Sequence, residues 1–240
     1  MEINGKKVIV IGGASGMGRA SAELLAERGA EVAIFDREGS DGKTVAEGVG
    51  GAFYPVDVTD FQGTEEALQT AVDKLGGLHV TVTTAGGGIA KRTLTKSGPH
   101  DLESFQSVID LNLIATFNIS RLAAAHMAKN EPEDEERGVI INTASIAAFE
   151  GQIGQIAYTA AKAGVAGMCL TMARDLGSVG IRVLAIAPPS APSARSGTRG
   201  PPRRVRDGRR SVRYPWGTPP RPAPRGADAC PAPRGSGAAA

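Results

Sequence analysis

Tyr158 and Lys162 stand four residues apart in a stretch of helical periodicity, 155–176, so their side chains share one face. A free phenol holds its proton up to about pH 10, but an ammonium beside it stabilises the phenolate by Coulomb attraction. Such a pair can take a proton from a substrate and return it. Ser145 lies thirteen residues before Tyr158, just past a β-branched run, where its hydroxyl could hold a substrate oxygen against the phenol. The spacing Tyr-x-x-x-Lys is common by chance. Its weight comes from what surrounds it.

The second chemical feature is near the start of the chain. The run Val8-Ile9-Val10-Ile11 leads into Gly12-Gly13-Ala14-Ser15-Gly16-Met17-Gly18 and then a helical pattern. Gly12, Gly16 and Gly18 permit a tight turn, close backbone approach to a pyrophosphate and tight packing of helix on strand. The helix N-terminus adds free N–H groups and a partial positive charge. The second β-run ends at Asp36, 18 residues after Gly18, where a carboxylate can accept both hydroxyls of an adenosine ribose and would repel a 2′-phosphate. That favours NAD over NADP, with Arg37 next door acting in the opposite sense. Asp57, followed by Val58, sits after the third β-run, within reach of an adenine amino group.

These groups need a scaffold that brings strand ends together. Short β-branched runs at 6–11, 31–36, 52–56, 78–83, 138–143 and 181–187 alternate with helical patterns. The helical patterns cover 19–28, 42–49, 62–75, 102–129 (two helices) and 155–176. The alternation predicts an α/β fold: one Rossmann-type doubly wound parallel sheet, helices on both faces, ligands at the carboxyl edge of the strands.

With the glycine loop, Asp36 and the serine–tyrosine–lysine set in place, residues 1 to about 188 resemble the short-chain dehydrogenase/reductase family. Asn130-Glu131-Pro132, 137–145 and 147–152 are similar to its type-2 3-hydroxyacyl-CoA dehydrogenase branch, also described as 17β-hydroxysteroid dehydrogenases. The resemblance implies hydride transfer between a secondary alcohol and NAD, with a small-molecule substrate of acyl-CoA or steroid-like kind. It implies Tyr158 as acid/base, Lys162 as its modulator and a ribose ligand, Ser145 as substrate-orienting group and Asn112 as holder of a relay water. Gly12, Ser15, Gly16, Met17, Gly18, Asp36, Asp57, Val58, Ala85, Gly86, Tyr158, Lys162 and Pro188 would line the cofactor. It also implies pairing of helices 113–129 and 155–176 with a second copy, as a homodimer or tetramer. Two departures stand out. The family usually has Asn before Ala85-Gly86, where this chain has Thr83-Thr84, and a threonine where this chain has Ile11. Both would loosen the cofactor site.

The composition divides the chain. Residues 189–240 hold 11 Pro and 11 Arg with 2 Asp and lack Leu, Ile, Phe, Met, Lys and Glu, a charge of +9 that leaves −7 to residues 1–188. A tail so poor in aliphatic residues and so rich in proline is expected to be disordered. It stands where the family has a substrate loop, helices and a last strand, so an exposed sheet edge and a bared apolar face are expected. Arg, Pro, Ala and Gly are what GC-rich codons supply, and a shifted reading frame near Pro188 accounts for the abrupt change. The rival reading is a silent nucleotide-binding protein whose basic tail contacts nucleic-acid phosphates; without a folded recognition element, nucleic acid is the less favoured partner. His79, His100 and His126 show no metal-ligand spacing. Cys169 reads as a small buried hydrophobe. The acidic run 131–136 reads as a solvated loop. No uninterrupted apolar run of membrane-spanning length and no leader appear, which places the chain in the cytoplasm by expectation.

Overall fold

The computed structural model describes residues 1–189, and the expectations for the tail beyond Pro189 lie outside them. Six strands form one parallel sheet in the order β3-β2-β1-β4-β7-β8. They are β1 Lys7–Ile11, β2 Glu31–Asp36, β3 Ala52–Pro55, β4 Val80–Thr83, β7 Gly138–Thr143 and β8 Ile181–Ile186. The chain reverses direction across the sheet between β1 and β4, and that switch point opens a crevice at the carboxyl ends of the strands. Register pairs Ile11 with both Phe35 and Thr83, and Thr83 with Asn142, so the strands end level beside the loops that follow them.

Alternation along the strands builds two cores. Ile9, Ile11 and Phe35 face Leu68 of α3 (Phe61–Leu75), Ile119 and Met127 of α5 (Ala115–Met127) and Met172 of α6 (Ile156–Gly177). Val8, Val10, Val32 and Ile34 face the opposite way, against Ala22 of α1 (Gly16–Glu27) and Val45 of α2 (Gly42–Gly48). This second face is covered unevenly. Among the described elements β8 packs on β7 and α6, and Leu184 and Ile186, on its other face, are 42% and 43% exposed. The bared apolar face expected from the sequence is therefore present among the described residues.

Three details depart from the sequence reading. Helix α1 starts at Gly16, three residues before the predicted Arg19, so Gly18 lies inside its first turn. The segment 102–129 does hold two helices, α4 (Leu102–Ile109) and α5, but a π-helical turn over Asp110–Ile114 joins them without a break. A two-residue hairpin, β5 (Leu94–Thr95) and β6 (Gly98–Pro99), was too short to show a period; it closes where Gly98 adopts a φ of 121°. Helical stretches 102–127 and 156–177 also have the length and mean hydropathy of membrane spans, although neither is an uninterrupted apolar run. In this fold both are legs of the layer packed on the sheet.

The remaining singled-out groups have ordinary roles. His79 Nδ1 accepts the Lys7 N–H at 3.1 Å, tying β1 to the start of β4, and the described residues hold no metal-ligating cluster. Cys169 is half-buried rather than buried, with Sγ 3.6 Å from the Val183 carbonyl and a thiol pKa pushed up by burial. The acidic loop is solvent-exposed, but Glu136 also pairs with the N-terminal amine and Arg182, and Glu133 with Lys6.

Candidate active site

Two clefts run along the carboxyl edge and share Gly87, Gly88 and Ile89 as a common wall. The first, about 630 Å³, is lined by Gly12, Ser15, Asp36, Arg37, Asp57, Val58, Ala85 and Gly86. The second, about 420 Å³, is lined by Met17, Thr143, Ser145, Gln155, Tyr158, Pro188 and Pro189. Every sequence-predicted cofactor residue except Gly16, Gly18 and Lys162 lines one of the two. Gly16 and Gly18 form the start of α1, and Lys162 lies beneath the second cleft.

The glycine loop is shaped for close approach. Gly12 has a φ of 80°, and a Cβ there would come within 2.6 Å of the Ala85 nitrogen. Gly16 has a φ of 53° and open space where a Cβ would stand. A Cβ on Gly18 would overlap the Gly12 carbonyl oxygen and come within 2.6 Å of Thr84 Oγ1. Ser15 precedes α1 without making a side-chain cap, and no acidic residue occupies the first turn. The first N–H groups of a twelve-residue helix thus remain available for an anion, a feature that fits the pyrophosphate of a dinucleotide.

Ala in place of Gly18 would gain roughly 1 kcal/mol of helix propensity, but forcing it against backbone costs about 1–3 kcal/mol. Gly18→Ala should therefore lower the melting temperature by several degrees, about 2–4 °C per kcal/mol, and weaken dinucleotide affinity; calorimetry and a nucleotide titration check both.

Asp36 is already oriented. Its Oδ2 accepts the Ala14 N–H at 2.9 Å and its Oδ1 the Arg37 N–H at 2.8 Å, which locks the end of β2 to the loop. Asp57 Oδ1 accepts both the hydroxyl and the N–H of Thr59, and these bonds hold its carboxyl below the usual range. Thr84 was read as a loss, since it lacks the amide of asparagine. Its hydroxyl reaches the carbonyls of Ile11 at 3.0 Å and Gly12 at 3.1 Å, so a shorter polar side chain still fastens β4 to the glycine loop.

At the second cleft, Ser145 opens a short 3₁₀ turn, Ile146–Ala148. Its Oγ accepts the Ala147 N–H at 3.1 Å, which leaves the hydroxyl proton for a ligand. The Pro188 carbonyl accepts the Ile146 N–H at 3.0 Å and brings the end of β8 beside the serine. Tyr158 and Lys162 occupy successive turns of α6, with Nζ 5.6 Å from the phenol ring centroid. Lys162 is 3% exposed, donates to the Thr143 carbonyl at 2.8 Å and makes no ion pair among the described residues. Burial pushes its pKa down to about 8.

Asn112 sits in the π-turn, fully buried. Both amide hydrogens are committed, to the carbonyls of Gly87 at 2.6 Å and Val108 at 2.8 Å, while Oδ1 accepts the Gly87 N–H at 3.2 Å. The side chain is a strut for the 86–88 loop. Its main-chain carbonyl accepts the Thr116 hydroxyl at 2.7 Å. A Cβ on Gly86 would meet both Asn112 Oδ1 and Lys162 Nζ, within 3.2 Å, so loop, amide and ammonium converge at one point.

The sequence reading left out Gln155 and the Gly87–Ile89 wall. Ser145, Tyr158 and the glycine loop nevertheless share one edge, as the arrangement of a proton-transferring, dinucleotide-binding site requires. A chain from Drosophila melanogaster, "3-hydroxyacyl-CoA dehydrogenase type-2", is 53% identical over 185 residues, 75% of this chain and 72% of that one. The human protein of the same description is 48% identical over 191 residues, 78% and 73% of the two chains. A solved structure described as 3-hydroxyacyl-CoA dehydrogenase type-2 from Mycobacterium avium superposes with a TM-score of 0.75 at 43% identity, covering 79% of this chain and 77% of that one. The sequence pattern described as short chain dehydrogenase matches residues 6–200. With that pattern laid over the same glycine loop, strand order and tyrosine–lysine helix, the chain belongs to the short-chain dehydrogenase family of oxidoreductases.

Proposed function

We propose that the chain is an NAD-dependent dehydrogenase that interconverts a secondary alcohol and a ketone, with a 3-hydroxyacyl thioester as its substrate class. The observation that carries the reading is the sharing of one cleft by Ser145 and Tyr158, next to a glycine loop to which Asp36 at the end of β2 is tied. Gly12, Ser15 and the first turn of α1 would hold the pyrophosphate, Asp36 the adenosine ribose hydroxyls, and Asp57 with Val58 the adenine. Bound NAD supplies the hydride acceptor.

The chain's own residues then handle the proton. Ser145 donates its hydroxyl to the substrate oxygen and fixes that oxygen against Tyr158. The Tyr158 phenolate takes the hydroxyl proton as the carbon–hydrogen bond breaks, and in reduction the phenol returns it. Lys162, buried and with no ion pair among the described residues, stabilises that phenolate more than it could in water, because Coulomb attraction grows as the local dielectric falls. Asn112 holds the 86–88 loop against the ammonium, and in the family resemblance a water held at this residue completes the path to solvent.

Type-2 3-hydroxyacyl-CoA dehydrogenase is what the similar proteins are called, and the apolar lining of the second cleft by Met17, Ile89, Ala90, Pro188 and Pro189 suits an acyl chain. Exposed Ile114, Phe117 and Leu170 on α5, its preceding turn and α6 support pairing with a second copy through these helices. The test is to incubate the full chain with NAD and 3-hydroxybutyryl-CoA and to follow the absorbance of reduced nicotinamide. Turnover is expected. Measurable NAD binding without turnover would overturn the reading in favour of a silent nucleotide-binding protein.

A further inference from the structure

Gln155 occupies a position that the fold itself does not explain. It stands immediately before α6 and three residues before Tyr158, yet its side chain makes no capping bond to the helix. Its main chain is fixed. The Gln155 N–H donates to the Gln152 carbonyl at 3.1 Å, and the Gln155 carbonyl accepts the Thr159 N–H at 2.7 Å. A parallel bridge to Lys91, sealed by the Lys91 N–H on the Gly154 carbonyl at 2.8 Å, pins the same segment to the loop after β4. The side chain therefore leaves a rigid point of the backbone and lines the cleft that holds Ser145 and Tyr158. Its Oε1 is shielded from solvent and meets no hydrogen-bond donor among the described residues, which leaves the NH₂ as the open end of the amide.

A buried amide left without a partner costs stability, and native structures satisfy nearly all such groups. An unpaired amide among mostly apolar walls, beside the residues that handle the carbinol, is a polar group kept for a ligand. Because an amide carries both donor and acceptor, with its oxygen turned inward the NH₂ is the group that can donate to a ligand in the cleft.

We infer that Gln155 is a specificity-determining residue whose amide donates to a second oxygen of the substrate, the thioester carbonyl two carbons from the carbinol. This deepens the proposed function and rests on it. Ser145 and Tyr158 hold the carbinol oxygen, and Gln155 the carbonyl. Two fixed points on one substrate set its orientation along the cleft, so 3-hydroxyacyl thioesters are distinguished from simple secondary alcohols of equal length. A site built to pair with a polar group rejects the analogue that lacks it more strongly than an apolar pocket can.

Gln155→Met keeps the length of the side chain and removes its hydrogen bonds; Gln155→Glu keeps the shape and removes the donor. With the full chain and NAD, kcat/KM is measured for 3-hydroxybutyryl-CoA and for 2-butanol. The ratio of the two should fall about tenfold in both variants, the loss of one hydrogen bond, chiefly through KM for the thioester. Binding of acetoacetyl-CoA in the presence of NADH, followed by calorimetry, needs no turnover and should weaken about tenfold as well. Equal losses on both substrates, unchanged acetoacetyl-CoA affinity, or a defect confined to NAD affinity would each overturn the assignment of Gln155. A wild-type chain that turns over neither substrate while the Gln155 variants still weaken acetoacetyl-CoA binding would count against the proposed function alone.

Discussion

Tyr158→Phe should reduce turnover by about 10²–10⁴-fold, the range that a positioned acid/base contributes, while leaving NAD affinity within about threefold, a difference of under 1 kcal/mol. The phenylalanine ring can keep the packing, since the backbone of Gly88 lies against the flank of the tyrosine ring and its hydroxyl makes no bond to the described residues. Only the transferable proton is removed. Stopped-flow or steady-state absorbance gives the rate, and quenching of nucleotide fluorescence gives the affinity. Retained turnover would refute the role, and loss of nucleotide binding in step with turnover would mean that the ring is structural.

Lys162→Met should lower activity at least as far and yet make the fold more stable. The folded protein holds this ammonium with a pKa of about 8 against 10.5 for the free group. A difference of that size corresponds to about 3 kcal/mol of burial cost. The sign follows from proton counts. Below pH 8 both states carry the proton and the cost is felt in full. Between about pH 8 and 10.5 the unfolded chain still holds a proton that the folded one has released, so stability rises with pH. Above that window the cost is gone.

Methionine removes the charge and forfeits the bond to the Thr143 carbonyl, worth about 1 kcal/mol. The net gain at neutral pH is about 2 kcal/mol, which raises the melting temperature by roughly 4–8 °C. Denaturant unfolding at pH 7 and at pH 10.5 checks it. At the higher pH the gain should give way to a small deficit, up to about 1 kcal/mol from the lost Thr143 bond, and a variant that is less stable at pH 7 would contradict the account. A lysine that destabilises its own fold is one retained for function rather than packing.

How far the sequence alone carries can be judged residue by residue. The parallel sheet was legible because runs such as Val8–Ile11 and Val32–Phe35 are buried on both faces and so read as apolar strings; its strand order was not. The glycine loop was legible because its position at the first strand–helix junction is local in the chain. Tyr158 and Lys162 were legible because helical spacing fixes their shared face. What sequence reasoning missed depends on contacts between distant segments. Thr84 replaces an expected amide by reaching two carbonyls 72 and 73 residues away. Asn112 was read only as the holder of a relay water; that its side-chain amide also braces Gly87, 25 residues earlier, is visible only once the π-turn is known. Gln155 carried no pattern at all; its interest lies in a missing partner, which no one-dimensional reading can reveal.

The uneven cover of the sheet has a consequence for how its amide protons exchange with solvent. Strands β1, β2 and β4 lie between two helical layers, and freeing their amides requires the whole sheet to come apart. Among the described elements the helix that strand β8 rests on is α6, while Leu184 and Ile186 face outward, so it can lift from β7 without disturbing the glycine loop. Its amides should exchange by local opening and lose deuterium protection first. Because the Pro188 carbonyl holds the turn at Ile146, each such opening also slackens the Ser145 side of the second cleft, and the nucleotide end stays shut.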